Sequence, residues 1–296
     1  MQHKTVLLHE AVDALELSTT DTVVDATYGS GGHAIEITKL LGKKGVYVGI
    51  DADKTAFDQN KLRDVSPQTH LVHDNFGNIT EILSSLDIKG ADAILADLGW
   101  RMEQFADGSK GFSFMHEGPL HMTFGNPEDY AFTAYDIVND WDENVIADIL
   151  YGYSQERFAR RIAKHIVETR REESIQTTTQ LAALVEYALP RQAKKGKTNP
   201  ATKTFQALRI AVNDELGVLE KFIKEAFHAL NPGGRLAIIT FHSIEDRIVK
   251  HSFRELKDAG MGVLTPKKPI LPNEEELKDN PRSRSAKLRV ITKSVN

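Results

Sequence analysis

Four carboxylates in the first hundred residues hold equivalent places in the local pattern. Asp25, Asp51, Asp74 and Asp97 each end or closely follow a short apolar run, in "TVVD", "VYVGID", "THLVHD" and "ADAILAD". The first is followed by Gly29-Ser30-Gly31-Gly32 and His33. Glycines let a backbone approach a ligand closely, and a helix that starts there presents free N–H groups. An acid after the second strand of such a unit accepts hydrogen bonds from ribose hydroxyls. Asp51 lies 20 residues past Gly31, a spacing that suits a nucleotide-like cofactor. Two cofactors fit. Gly29-x-Gly31-x-x-Ala34 matches the dinucleotide fingerprint in its Gly/Ala form, and it also matches a loop that binds S-adenosylmethionine. Asp25 favours the second, because a pyrophosphate disfavours a nearby acid whereas the cationic amino group of a methionine moiety welcomes one. "HDNF" adds Asp74 or Asn75 for the polar edge of an adenine and Phe76 for its face. The reading without a ligand is a tight turn that caps a helix.

The elements that must position these groups alternate. "TVVDAT", "GVYVGID", "THLVHD" and "ADAILADL" read as strands, with helical spacing in "HAIEITKLL" and "KTAFDQNKLRDV" between them. That alternation predicts a parallel α/β sheet, in which ligands bind beyond the carboxyl ends of the strands. From about residue 105 the character changes. "GFSFMHEGPLHMTFGNPEDY" is loop-like, and the stretches around "DENVIADIL", "ARRIAKHIV" and "QLAALVEYAL" read as helices. The spacing predicts an all-helical insertion over 105–199 in a sheet domain built from 1–104 and 200–296. After it come the amphipathic "NDELGVLEKFIKEAFHAL", the stop "NPGG", the strand "RLAIITF", a further helix in "EDRIVKHSFREL" and a closing strand "AKLRVIT".

Composition narrows the class. The chain has 296 residues, 41% hydrophobic and 27% charged, and no cysteine. Disulfides, thiolate zinc sites and cysteine nucleophiles are therefore excluded. No metal-ligand spacing stands out among the 11 histidines. The apolar runs are too short to span a bilayer, and the N-terminus lacks the apolar core of a signal peptide, so the expected location is the cytoplasm. Net charge is −5, yet the segments 191–203 and 282–293 each carry five basic residues and no acid. A third segment, 157–171, carries six basic residues against Glu168. Such clusters on an acidic chain are what a phosphate-binding surface requires.

Seven motifs, in order, carry a family resemblance: "VDATYGSGGHA", "GIDAD", "ADLG", "GFSF…GPLHM", "NPATKTFQALRIAVNDEL", "PGGRLAIITFHSIEDRIVK" and "NPRSRSAKLR". The chain resembles the bacterial 16S rRNA cytosine-N4 methyltransferase family (RsmH/MraW) over nearly its whole length. The resemblance implies a class I S-adenosylmethionine-dependent methyltransferase sheet, Rossmann-like, interrupted by a helical domain. It implies methylation of the exocyclic N4 of a cytosine in the decoding region of 16S rRNA, with small-subunit rRNA, within the ribosomal subunit, as partner. It also implies cofactor contacts at Gly31, Gly32, His33, Asp51, Phe76, Asp97 and Gln104, to which the residue reading adds Asp25. The amino group of cytosine is a poor nucleophile because its lone pair is delocalised into the ring, so an acceptor for its proton is needed. Asp97 has two open roles, as that acceptor or as a cofactor contact.

The chain also departs from the family pattern. "DLGWRMEQF" has Arg101 and Met102 where the family has serines, "EGPLHMTF" has His121 in place of an acid and Thr123 in place of Arg, and "NPATKTFQ" has Asn199 and Lys203 in place of His and Arg. Trp100 is a candidate platform for an unstacked base, and His121 a candidate replacement acceptor. Lys203, Arg282, Arg284, Lys287 and Arg289 are the candidate RNA contacts. "FHSIEDR" contains Ser243-x-x-Asp246, which resembles a capping box, and His242 and Glu245 could instead line a pocket. These departures leave a rival to the enzyme: a catalytically inactive assembly factor that keeps the cofactor fold and binds RNA.

Overall fold

A computed structural model of the chain describes residues 4–58, 62, 65–98, 108–193 and 199–295. The described helices, in chain order, are α1 (Leu8–Ala14), α2 (Gly32–Leu40), α3 (Ile79–Ser85), α4 (Ala134–Asp140), α5 (Glu143–Ser154), α6 (Ala159–Arg170), α7 (Thr178–Ala188), α8 (Thr202–Asn213), α9 (Glu215–Ala229), α10 (Ser243–Asp258) and α11 (Glu274–Asp279). The strands are β1 (Thr22–Asp25), β2 (Val46–Asp51), β3 (Gln68–His73), β4 (Ala91–Asp97), β5 (Leu230–Thr240), β6 (Gly262–Leu264) and β7 (Lys287–Lys293). The chain divides into two compact units, Met1–Arg101 with Leu216–Asn296, and Met102–Glu215.

In the first unit the strands form one sheet in the order β3-β2-β1-β4-β5-β7-β6. Strands β1 to β5 run parallel, and β7 is antiparallel to both β5 and β6. The order is doubly wound, and its direction of winding reverses between β1 and β4. Such a switch point opens a crevice at the carboxyl ends of the strands. The central strands are apolar on both sides because helices cover both faces. One face packs Ile79, Ile82, Phe222, Phe227, Val249 and Phe253 from α3, α9 and α10 against Val24, Ile94 and Ile238. The other packs Leu7, Ala11 and Ile37 against Val23, Tyr47, Leu95 and Ile239.

The sheet unit differs from its sequence pattern in three places. The expected second helix starts as a 3-10 turn, Lys54–Phe57, capped by Asp53, whose Oδ1 accepts from Thr55 N at 3.0 Å; residues 59–61 and 63–64 lie outside the description. "NPGG" is not a break before the fifth strand. It loops out of β5, where Leu230 faces Ala91 and Arg235 faces Ala93. Asn231 secures this bulge by donating to Asp92 at 2.7 Å. Strand β6 sits in the Pro-rich excursion after Met261, where three residues are too few to show periodicity.

The second unit is helical. Helix α5 packs on α6 and α8, and α6 also packs on α4 and α7. In α6, Ile162, Ala163, Ile166 and Val167 are buried while Arg160, Arg161 and Lys164 are exposed, as the periodicity predicts. Thr177 and Gln180 form the capping box that opens α7. The packing returns the chain to the sheet unit at residue 216, not at 200, because α8 buries Phe205, Leu208 and Val212 with the helices of the insertion.

The "GFSF…GPL" segment of this unit is a backbone crossing. Met122 N donates to Lys110 O at 2.9 Å. A Cβ on Gly111, which has φ +72°, would lie 1.8 Å from Pro119 O, and one on Gly118 would lie 2.0 Å from Gly108 O. Gly111→Ala is expected to destabilise the protein by about 2–5 kcal/mol in urea unfolding, combining a left-handed backbone penalty with overpacking. Gly152→Ala, in α5 with open space around it, is the counterpart and should stabilise by about 0.5–1 kcal/mol.

Candidate functional site

At the carboxyl edge of the sheet unit, β1 ends at Asp25 and the chain passes through a glycine loop into α2. Gly31 is the N-cap of that helix and has φ +75°, a conformation glycine adopts without strain. A Cβ on Gly32 would collide with Thr5 Oγ1 at 1.8 Å, and one on Gly31 would meet the Tyr28 hydroxyl at 3.1 Å. The loop is tied to both flanking strands. Ala26 N donates to Leu95 O of β4 and Tyr28 N to Ile50 O of β2, each at 2.8 Å. Tyr28 is buried and packs on Phe57, with ring centroids 5.2 Å apart.

Side chains of the three strand ends complete the arrangement. Asp51 accepts from Gly29 N and Asp53 N, both at 2.8 Å. Asp97 N donates to Thr27 Oγ1 at 2.6 Å. His33, 5% exposed on the first turn of α2, lies with Nδ1 3.9 Å from Asp97 Oδ2, and Asp97 keeps 18% exposure. The structure therefore brings Asp25, Gly31, Gly32, His33, Asp51 and Asp97 around one loop. Tyr28 and Thr5 take the places that a Cβ on Gly31 or Gly32 would need. The N-terminus of α2 and the partly exposed carboxylates on β2 and β4 form a cradle that fits an amino-acid moiety joined to a nucleoside, its carboxylate at the helix end and its ammonium near an acid.

Asp25 differs from the expectation of an acid facing a ligand. It is 1% exposed and accepts from Tyr47 Oη at 2.9 Å and Thr27 N at 3.2 Å. Burial raises its pKa to about 6 against the opposing effect of these hydrogen bonds. Burial also pushes the Tyr47 hydroxyl well above its ordinary value, and the adjacent Asp25 adds to the shift. Asp25 thus acts beneath the cradle, through the Thr27 backbone. Tyr47, Thr27 and Tyr28 were missed from sequence; an acid inside a β-branched run is itself a signal that a buried donor must exist.

Phe76 begins a 3-10 turn after β3, capped by Asn75 Oδ1 accepting from Gly77 N. Its half-buried ring packs edge-on against Phe222, with centroids 4.9 Å apart and 82° between planes. Trp100, Arg101, Met102 and Gln104 lie outside the described residues. The capping box at α10 is shifted by one position from the expected Ser243/Asp246 pair. His242 Nδ1 accepts from Glu245 N at 3.3 Å, and Glu245 Oε2 accepts from His242 N at 3.2 Å. Asp246 is instead the acceptor for Lys287 at 2.9 Å and Arg289 at 2.7 Å. Burial opposes its ionisation, but these two cations outweigh that and hold its pKa below the usual carboxylate value. Lys287 and Arg289 therefore have a protein partner, whereas Arg282 and Arg284 project from an exposed 3-10 turn, Pro281–Ser285.

In the helical unit, His121 is half-buried and its carbonyl accepts from Ala134 N at 3.1 Å. Thr123, in the place of an arginine, is buried and donates to Gly125 O at 3.1 Å. Lys203 is exposed, and its Nζ donates to Gln155 O at 3.1 Å, just after α5. Asn199 Oδ1 accepts from Ala201 N at 2.8 Å, just before α8. The long motif around "ALRIAVNDEL" is structural. Arg209 forms a two-pronged pair with Glu215, at 2.8 and 3.0 Å. Asn213 donates to Met122 O at 2.7 Å and accepts from Phe124 N at 3.1 Å, fixing the loop after His121. Among the described residues no group of three or more His, Asp or Glu side chains could hold a metal ion, and no helix is long and apolar enough to cross a membrane.

The model of the MraW methylase family matches residues 1–294. A protein of Clostridioides difficile (strain 630) named "Ribosomal RNA small subunit methyltransferase H" is 41% identical over 309 residues, covering 98% of each chain. One of the same name from Clostridium botulinum (strain Loch Maree / Type A3) is 43% identical over 310 residues, covering 99% of each. A solved rRNA methylase from Streptococcus thermophilus aligns over 99% of both chains with a TM-score of 0.46 and 12% identity.

The raised pKa of Asp25 sets a pH dependence. Because its folded value of about 6 exceeds its ordinary 3.8, the folded state holds the extra proton between those values. Stability therefore falls as pH rises from about 4 to about 6, by about 3 kcal/mol in all. In thermal unfolding, Asp25→Asn should gain on the wild type by that order between pH 4 and pH 7.5. A constant difference across the range would show that the buried carboxyl is ionised throughout.

Proposed function

The chain belongs to the MraW methylase family, and on that premise we propose that it methylates the exocyclic N4 amino group of a cytosine in the decoding region of 16S rRNA. It is an S-adenosylmethionine-dependent methyltransferase of small-subunit ribosomal RNA. The observation that carries the rRNA methyltransferase reading is full-length identity of 41–43% to relatives named "Ribosomal RNA small subunit methyltransferase H". The intact glycine loop supports the cofactor assignment. A catalytically inactive assembly factor is not favoured, because the full-length relatives at 41–43% identity are named as methyltransferases. An rRNA substrate supports the reading of a cytoplasmic protein.

S-adenosylmethionine supplies a methyl group already activated on a sulfonium. The residues of the chain then have to bind, orient and accept a proton. The backbone at Gly31 and Gly32, where α2 starts, meets the amino-acid moiety, and Asp51 offers its carboxylate to ribose hydroxyls. Phe76 presents an aromatic surface for an adenine. Asp97 accepts an N–H of the cytosine amino group, which returns lone-pair density to the nitrogen and gives the proton a destination. His33 stands beside Asp97 to orient it. The target base must leave its stack to reach a pocket of this kind. The helical unit, with Arg157, Arg160, Arg161 and Lys164 exposed on and before α6, is the proposed substrate-recognition domain.

The test is incubation of the protein with labelled S-adenosylmethionine and small subunits, or naked 16S rRNA, lacking the modification, followed by nucleoside analysis. N4-methylcytidine is expected, and cofactor binding without transfer would overturn the reading. Asp97→Ala should lower kcat by about 10²–10⁴ while leaving cofactor Kd within about tenfold. A loss confined to cofactor affinity would make Asp97 a cofactor contact.

A further inference from the structure

On the sheet unit, a cleft of about 70 Å³ lies between α10 and the β6–β7 pair. Its floor is Phe253, Leu264 and Val290, and its charged lining is Lys250, Arg254, Lys267, Lys268 and Arg289, with no acid among the lining residues. This volume is far below the roughly 300–1,000 Å³ of a small-molecule pocket, so it suits a single anionic group and not a whole nucleotide.

The cations come from three elements, each held in place. Lys250 and Arg254 are one turn apart on α10 and both are exposed beside the cleft. Arg289 is oriented by Asp246, which lies on the same helix. Lys267 and Lys268 sit at the tip of an arch pinned at both ends to β7. Thr265 N donates to Val290 O at 3.1 Å, and Ile270 exchanges two hydrogen bonds with Leu288 at 2.9 and 3.0 Å. Pro266 and Pro269 bracket the pair and fix φ on either side. The lysines are exposed on a built support, not on a free tail.

The cleft also lies toward the carboxyl edge of the sheet. Asp97 of β4 pairs with Ile239 of β5, and Ile239 pairs with Leu288 of β7, next to Arg289. At about 4.8 Å per strand, β7 and the arch lie about 10–15 Å along that edge from the end of β4, a span that a short run of nucleic-acid backbone covers.

We propose that this cleft is a phosphodiester-binding site that holds the RNA backbone a few nucleotides from the base being methylated. It rests on the rRNA methyltransferase reading above. Binding there positions the strand without reading sequence. Lys250, Arg254, Lys267 and Lys268 are the cations that meet the phosphate, with Arg289 set behind them by Asp246.

The experiment measures binding of a fluorescently labelled 16S rRNA fragment at several salt concentrations, together with methyl-transfer kinetics. It uses Lys267→Gln/Lys268→Gln, Lys250→Gln/Arg254→Gln, and Lys43→Gln/Lys44→Gln as a charge-matched control elsewhere on the same unit. Each cleft variant should weaken RNA binding about tenfold, lower the salt slope by about 1–2, and raise KM for RNA with kcat at saturating RNA and cofactor Kd unchanged. The control should leave the slope as in the wild type. Cleft variants that behave like the control, while the wild type methylates rRNA, overturn the site and spare the enzyme reading. A wild type that binds RNA but transfers no methyl group overturns the enzyme reading instead, and the salt slopes still decide the cleft.

Discussion

The glycine loop after β1 has no regular structure of its own, and two backbone hydrogen bonds to the neighbouring strands hold it. Ala26 reaches β4 through Leu95 O, and Tyr28 reaches β2 through Ile50 O. Those bonds fix the loop at the point where the winding of the sheet reverses. Around this anchor, Asp51, Asp97 and His33 converge although they are far apart in sequence. The buried Asp25–Tyr47 pair works from below, holding the Thr27 backbone whose side chain receives Asp97 N. The cradle is therefore a product of strand order, with side chains adjusting what the parallel pairing already sets.

The sequence made much of this legible, because alternation between short apolar runs and helical spacing is a strong signal and parallel topology follows from it. Asp51 and Asp97 were readable as strand-end acids. Asp25 was readable as important, but its direction was not, since a run of residues does not say whether an acid faces ligand or core. The partner that decides it, Tyr47, is the second residue of β2, a strand that reads as ordinary β structure. The short elements α3, α11 and β6 carry too few residues to show a period. The return of the chain to the sheet at residue 216 was hidden because α8 and α9 follow each other with only Asp214 between them.

The motifs that carry the resemblance divide by physical task. The loop at Gly31 and the strand ends serve a ligand. "GFSF…GPL" serves a crossing where two backbones touch, and "ALRIAVNDEL" serves an ion pair and an amide clamp. Lys287 and Arg289 looked like surface cations in a basic run, yet a single carboxylate on α10 gathers both. Charge counts alone could not separate cations held by the fold from those left facing solvent; the register of β7 against α10 does.

The two edges of the sheet follow different rules. At the carboxyl edge every strand end is tied to its neighbour. At the opposite edge β5 leaves its partner at Leu230, makes an excursion of four residues, and resumes pairing at Arg235 in register with Ala93. Chain length at Asn231–Gly234 is thus uncoupled from the alignment of Ala93 to Asp97. Inserted residues there, or a spectroscopic label carried on them, would sit a full strand length from the cradle and leave its geometry to the same pairings that set it now.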